Sequence, residues 1–266
     1  MTSRPALPAR PSAARKATPV HVEEEKPTAT ALSRRERVRE ATAQEIKQIA
    51  RRHLVEQGPP GVSLRAIARE MGMTAPGLYR YFNSLDDLLS SLTADFFTEL
   101  TEAVQAADQS LPEDDVDGRI LASLRAFRTW ALANRAEFAL MFGPPGPHHR
   151  RHEGGALEAG QRFAAIFFAL FDRLLQERRF EVPEDADLSP VLCRQLEAFA
   201  EQTGFTTENV SLGALRVLTS CWVRLYGLVC MEVFQHLSFV MADMEPLFEA
   251  ELPDILRTVG VTYRAP

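Results

Sequence analysis

The stretch Val62-Ser63-Leu64-Arg65-Ala66-Ile67-Ala68-Arg69-Glu70-Met71-Gly72-Met73-Thr74-Ala75-Pro76-Gly77-Leu78-Tyr79-Arg80-Tyr81-Phe82 decides how the chain is read. Leu64, Ile67, Ala68 and Met71 recur at three- and four-residue steps, the period of a short helix with one apolar stripe. Ser63 stands where a hydroxyl caps a helix start, and Gly72 where a left-handed residue ends one. After a three-residue turn, Thr74 is placed to cap a further helix expected over Ala75 to Phe82. Two short helices joined by a tight, glycine-containing turn make a helix-turn-helix, whose second helix is the part that can enter a DNA major groove.

Geometry of this kind also occurs in proteins that never touch DNA, so the outward side chains must carry the argument. At 100° per residue Leu78 and Phe82 point inward, Pro76 and Arg80 centre the opposite face, and Gly77 and Tyr79 flank it. Arg80 can donate two bonds to guanine O6 and N7, while Ala75 and Pro76 offer apolar contact to a thymine methyl. Small residues at the helix start let its N–H groups approach a phosphate. The hydroxyls of Tyr79 and Tyr81 either bond phosphate oxygens or wall off the small core. Arg65 is either a DNA contact or a solvated charge.

Working outward, a helical pattern begins at Ser33 and places Val38, Thr42, Ile46, Ile49, Ala50 and His53 on one side until Gly58-Pro59-Pro60-Gly61 stops it. Downstream, Ser84 with Asp87 resembles a capping box and opens a long helix whose Leu88, Leu89, Leu92, Phe96, Leu100 and Val104 face inward. Further helices are expected over Val116 to Ala133, Arg135 to Phe142, Leu157 to Arg178, Leu188 to Ala200, Leu212 to Leu237 and Glu245 to Val259. No strand pattern competes, so the fold class is all-α. The reading divides the chain into a disordered N-terminal arm over 1–32, a three-helix DNA-binding domain over 33–84, and a helical bundle for ligand binding and dimerisation over 85–266.

The overall charge of −6 hides an asymmetry. Residues 33–82 hold ten Lys/Arg against five Asp/Glu, residues 1–32 hold five against three, and everything later sums to −13. A basic head on an acidic body fits a polyanion partner. Arg216 and Arg224 interrupt the apolar stretch around Leu215 to Val233, short of the roughly 18 uninterrupted apolar residues of a membrane span. No apolar segment follows the N-terminal arginines, so no secretory signal is expected and the expected address is the cytoplasm. Cys193, Cys221 and Cys230 lack metal-site spacing and read as small buried hydrophobes.

The quoted segment strongly resembles the DNA-binding signature of the TetR repressor family, above all in the I-A-x-x-x-G of Ile67 to Gly72 and the L-Y-x-Y-F of Leu78 to Phe82. The resemblance is close over about residues 34 to 90. It implies operator contacts from Arg65, Ala75, Pro76, Gly77, Tyr79, Arg80 and Tyr81, beside the capping Thr74. One departure stands out: the family usually carries a phosphate-binding lysine where this chain has Leu85, followed by Asp86 and Asp87. Further on, Cys221 to Val229 is similar to the W-x-x-L-x-G pattern of one C-terminal subgroup, and Arg135 to Phe142 resembles that subgroup's short helix. This implies an effector held inside the bundle and a homodimer formed through the last two helices.

The residues supply fitting materials. Trp130, Phe138, Met141, Phe142, Phe163, Phe167, Phe171, Trp222 and Tyr226 are candidate contacts for a largely apolar effector, and equally ordinary core. Arg128, Arg224 and Gln161 either orient such a ligand or form ion pairs and surface contacts. A twofold dimer sets two recognition helices about 34 to 36 Å apart on double-stranded, palindromic operator DNA. The long fourth helix is the expected lever between head and sensor. Two other classes compete: a helical interaction module that has lost operator binding, and a metal-dependent enzyme built on His148, His149, His152 and Glu153. That loop lacks the i, i+4 histidine pair of a helical zinc site, so no enzyme, metal or cofactor is expected.

Overall fold

A computed structural model describes residues 33–143, 154–203 and 210–266. The expected N-terminal arm and the histidines of the 144–153 loop lie outside the described residues. Among the described residues ten α-helices follow one another: α1 (Arg34–Gln57), α2 (Leu64–Glu70), α3 (Ala75–Leu78), α4 (Leu85–Gln109), α5 (Val116–Ala133), α6 (Arg135–Phe142), α7 (Gly155–Gln176), α8 (Pro190–Thr203), α9 (Leu212–Val233) and α10 (Glu245–Arg257). No strand occurs among the described residues.

The first three helices close a small core from residues the apolar stripes picked out. Ile46, Ala50, Leu54, Ile67 and Leu78 are fully buried or nearly so. Each of the isoleucine and leucine side chains removed from water contributes roughly 1.5–3 kcal/mol. A reciprocal capping box starts α1: the Ser33 hydroxyl accepts from the Glu36 amide, and the Glu36 carboxylate accepts from the Ser33 amide at 2.7 Å. Gly72, at φ 65°, ends α2 in a Schellman turn, with Met73 N–H donating to Ala68 C=O at 2.8 Å and Gly72 N–H to Arg69 C=O at 3.2 Å. His53 on α1 is buried and meets Glu70 on α2 at 3.0 Å, where Arg52 also pairs with Glu70.

Several local expectations are corrected. Ser63 and Thr74 occupy N-cap positions, yet neither side chain makes a capping bond. Regular helix in α3 ends at Leu78, and the segment to Phe82 continues as tight turns through Tyr81 N–H to Leu78 C=O at 2.9 Å and Phe82 N–H to Leu78 C=O at 3.2 Å. Ser84 does accept from Asp87 N–H at 3.0 Å, but the Asp87 carboxylate turns to the Asn83 amide at 2.8 Å, so the box closes one residue early. The α9 helix stops at Val233 because Gln235 takes φ 57° and closes a Schellman turn through His236 N–H to Met231 C=O at 2.9 Å. Arg178, at φ 52°, ends α7 in the same way.

The α4 helix is the spine. Leu88, Leu89, Phe96, Phe97, Leu100 and Val104 are buried along its length in one continuous core, and α4 packs on α5 and α7. The C-terminal residues fold back as a strap. Tyr263 donates to Glu249 at 2.9 Å, Thr262 N–H donates to Asp117 at 3.1 Å, and Arg264 pairs with Asp115 at 2.8 Å, fastening the tail over α5 and α10. Among the described residues α9 is the one helix long and apolar enough to cross a membrane by length and composition, its two arginines notwithstanding, and only 28% of that apolar window is buried within the chain.

Candidate functional site

The head presents its recognition segment outward. Arg65, Thr74, Pro76, Tyr79 and Arg80 are exposed, with Tyr79 at 51%, while Ala75, Gly77 and Tyr81 are half-buried and Leu78 and Phe82 are buried beneath. The helical-wheel assignment of inward and outward faces therefore holds, and it does so past the end of regular α3. Arg39 on α1 braces this segment by donating to the Arg80 carbonyl at 3.5 Å. Among the described residues no ion pair engages the guanidinium of Arg65 or Arg80, so all their donors are available. Tyr81 packs partly against the core, while Tyr79 stands clear of it. Glycine suits position 77, where an added Cβ would come within 3.3 Å of the Thr74 hydroxyl.

Where the family's lysine is usual, Leu85 is half-buried and packed on the core. Asp87 in the first turn of α4 is held by Asn83 through both its amide nitrogens, at 2.8 and 3.2 Å. An acidic first turn suits the positive end of the helix dipole. No basic side chain lies in that turn.

In the body the predicted aromatic residues converge, but around a ring the sequence reading passed over. Phe127 on α5 is fully buried and lies 5.5 Å from Trp222, 5.8 Å from Phe163, 6.1 Å from Phe138 and 6.2 Å from Phe142, centroid to centroid. Tyr226 stacks on Trp222 at 5.6 Å, and its hydroxyl donates to the Phe142 carbonyl at 2.8 Å. Burial first, then Cys230 one turn on, pushes the Tyr226 phenol well above its ordinary value, so it stays a donor. Phe97 of α4 joins the cluster beside Phe142 at 5.5 Å. Of the two adjacent phenylalanines the helical period assigns Phe96 inward and omits Phe97, because a single stripe gives one buried face where α4 buries both.

Phe167, Phe171 and Trp222 also line a separate apolar cavity of about 90 Å³ among α5, α7, α9 and α10, completed by Leu124, Leu218 and Ile255. Of the remaining candidates, Trp130 and Met141 are buried outside both the ring contacts and this cavity. A larger recess, about 510 Å³, lies at the α9–α10 turn, lined by charged and apolar side chains alike, among them Arg128, Glu232, Met241 and Met244. Arg128, offered as a ligand-orienting group, is committed to Glu232 by two bonds of 2.6 and 2.7 Å and lies over the Phe248 ring. Arg224 is exposed and, among the described residues, donates to the Asp254 carbonyl at 3.4 Å. The three cysteines are half-buried rather than fully buried, all unbridged and packed on the core. Burial raises the Cys221 and Cys230 thiols above their usual value, which keeps them protonated.

Head and body are joined by a polar clamp as well as by α4. Arg51 on α1 donates to Glu137 on α6 at 2.8 Å, to both oxygens of Glu99 on α4 at 2.7 and 3.0 Å, and to the Asn134 side chain at 3.3 Å. Lys47 adds a second α1–α4 pair, with Asp95, at 2.6 Å.

Known proteins agree with this arrangement over most of the chain. The family described as bacterial regulatory proteins, tetR family, matches residues 47–92, and the tetracyclin repressor-like C-terminal domain matches 120–255, just over half the chain. The HTH-type transcriptional regulator Rv1816 of Mycobacterium tuberculosis and its counterpart Mb1846 of Mycobacterium bovis are each 29% identical over 224 residues, covering 83% of this chain and 93% of theirs. The crystal structure of SCO4313 superposes with a TM-score of 0.66 at 27% identity, over 85% of this chain and all of that one. A protein from Rhodococcus sp. RHA1 shares the fold at 21% identity, with a TM-score of 0.59 over 81% of this chain and 93% of its own. A basic helix-turn-helix facing outward from an all-helical body, matched in both halves by these descriptions, belongs to the TetR family: the chain is a DNA-binding transcriptional regulator.

Proposed function

We propose that the chain is a ligand-responsive repressor that binds a palindromic operator as a homodimer and leaves it when a small, largely apolar effector enters the body. The observation that carries the proposal is the exposed set Arg65, Pro76, Tyr79 and Arg80, whose two arginines have no ion pair among the described residues. Arg80 reads a base, Tyr79 and Arg65 meet phosphates, and Thr74, Ala75 and Gly77 let the backbone come close. Tyr81 acts from the wall of the head. The effector enters between α5, α6, α7 and α9, where Phe138, Phe142, Phe163, Phe167, Trp222 and Tyr226 meet, and the 90 Å³ cavity is the seam at which that packing opens. Phe171 lines that seam, while Trp130 and Met141 pack outside it.

Dimerisation uses α9 and α10. Val223 is 61% exposed and Met231 40% exposed, on the same helix that buries little of its apolar window. A second copy covers that face and supplies the two recognition helices that a palindrome requires. The operator fixes the place of action as the cytoplasm, and chemistry on a substrate has no part in the function.

Selection of bound fragments from random and genomic DNA tests this, with wild type beside Arg80→Ala and Tyr81→Phe. The expected result is a palindromic motif that Arg80→Ala relaxes at one base and that Tyr81→Phe weakens uniformly. Leu85 favours a second reading, an interaction module without operator affinity, because it removes a phosphate contact from the head. Absence of any salt-sensitive, sequence-preferring complex in the same selection decides for it.

A further inference from the structure

We infer that the C-terminal strap is the latch of the apolar cavity: its release opens the seam between α7 and α10, which under the effector reading above is the way in for the effector. The walls of that cavity are not held together alike. Leu124 of α5, Phe171 of α7 and Trp222 of α9 face it from one side, and Ile255 and Leu256 of α10 with Val259 from the other. The α10 helix runs close beside α9 and stands further from α5 and α7. The strap bridges that wider gap.

The bridge has a seat and two tiers of bonds. Gly260 takes φ 68°, and an added Cβ there would lie 2.0 Å from the Arg179 carbonyl, so the turn sits directly on the chain leaving α7. Arg179 Nε donates to the Gly260 carbonyl at 3.1 Å, and the same guanidinium pairs with Asp117 in the first turn of α5. Asp117 is 9% exposed, and its other oxygen accepts the Thr262 amide at 3.1 Å. One carboxylate thus ties α5, the end of α7 and the strap. Further out, Arg125 donates to the Arg264 carbonyl at 2.7 Å, beside the Tyr263 and Arg264 bonds to Glu249 and Asp115. Buried Val261 donates its N–H to the Leu256 carbonyl at 3.0 Å, so lifting the strap unwinds the turn that carries Val259. Parting α5, α7 and α9 elsewhere separates the packed rings of Phe127, Phe163 and Trp222 and exposes large apolar area. Parting the strap exchanges hydrogen bonds and ion pairs for bonds to water, a small net cost for each. The strap is accordingly the wall that yields first.

Cys221 is a built-in reporter, since it lines the cavity with its Sγ 4.0 Å from the Ile255 carbonyl of α10. Labelling of the full chain by uncharged N-ethylmaleimide is followed residue by residue by mass spectrometry, with Cys193 and Cys230 as internal references. Tyr263→Phe with Arg264→Gln cuts the outer tier and bares no buried charge, and circular dichroism checks that the variant keeps its fold. In this variant Cys221 is expected to label about tenfold faster, and the two references within about twofold of wild type. An unchanged Cys221 rate, or equal acceleration at all three cysteines, overturns the latch. Benzene, which dry apolar cavities accept, supplies the second readout by NMR line shape. Its association and dissociation both quicken by the same factor in the variant, with affinity unchanged. Altered affinity at unaltered rates overturns the latch, because the strap then shapes the cavity and does not guard it. A wild type that takes up no benzene overturns the reading of this cavity as an effector site, and Cys221 labelling still decides the latch.

Discussion

The reading face of the head and the flank of the body use the same side chain in opposite ways. Arg119, Arg125, Arg128 and Arg179 in the body each meet a carboxylate, respectively Asp108, Glu249, Glu232 and Asp117. Arg65 and Arg80 in the head have no such partner among the described residues and stand in solvent. A guanidinium whose fork is filled by a carboxylate has nothing left for a phosphate or a guanine, whereas an unfilled one keeps its donors and its charge. Under the operator-binding proposal, the arginines assigned to DNA are ones left without a carboxylate, and these four body arginines are ones spent on holding the fold. The surplus of acid beyond residue 82 serves the second purpose.

That contrast predicts which substitutions hurt folding and which hurt binding. The largest effect belongs to the body: Phe127→Ala, at the centre of the ring cluster, lowers unfolding stability by about 3–5 kcal/mol in urea titrations. An effect near 1 kcal/mol there means the cluster collapses around the gap. Next, Arg80→Ala costs about 1–3 kcal/mol of affinity at the cognate site and leaves unfolding within about 0.5 kcal/mol. A matching loss of stability shows that Arg80 is structural and breaks the contrast.

Smaller effects refine it. Leu85→Lys restores a cation at the start of α4 and steepens the salt dependence of operator binding by about one counterion, at some cost in packing because Leu85 is half-buried. An unchanged slope places that position away from the phosphates. The least effect is the acid limb of Glu249. The bond from Arg125, opposed by burial and aided by the Tyr263 hydroxyl, holds its carboxyl below the usual range. A carboxyl so lowered stabilises the fold above the ordinary carboxylate value of about 4 and loses that contribution as pH falls through its own lower value. Melting of Glu249→Gln is accordingly lower than wild type at neutral pH, and the gap closes on acidification. A gap that persists at low pH assigns the loss to packing.

Legibility differed between helix ends and helix faces. Faces were readable where they pack, since the spacing of Leu64, Ile67 and Ala68 in α2, and of Leu78 and Phe82 in the recognition segment, follows the helical period that burial obeys, whereas Val38 near the start of α1, on the same stripe as Ile46, is exposed. Ends were readable where glycine marks them, as at Gly72, and unreadable at Arg178 and Gln235, which adopt the same left-handed turn without glycine's chemical signature. Caps misled for a related reason. Ser63 and Thr74 have the right side chains in the right places, yet no bond forms, while Asp87 bonds Asn83 instead of Ser84. Local side-chain options are several at each such position, and only the assembled backbone selects among them.

The sequence by itself determined the all-helical class, the helix-turn-helix, the outward set around Arg80 and the family, because each depends on residues close together in the chain and on a period that needs no partner. Tertiary structure alone decided that Phe127 and Phe97 lead the aromatic cluster, that Arg128 is spent on Glu232, and that α6 is tied to α1 and α9 at once. Those contacts join residues some forty to a hundred positions apart, such as Arg51 with Glu137 and Phe142 with Tyr226, and nothing in either local segment encodes where the other will lie.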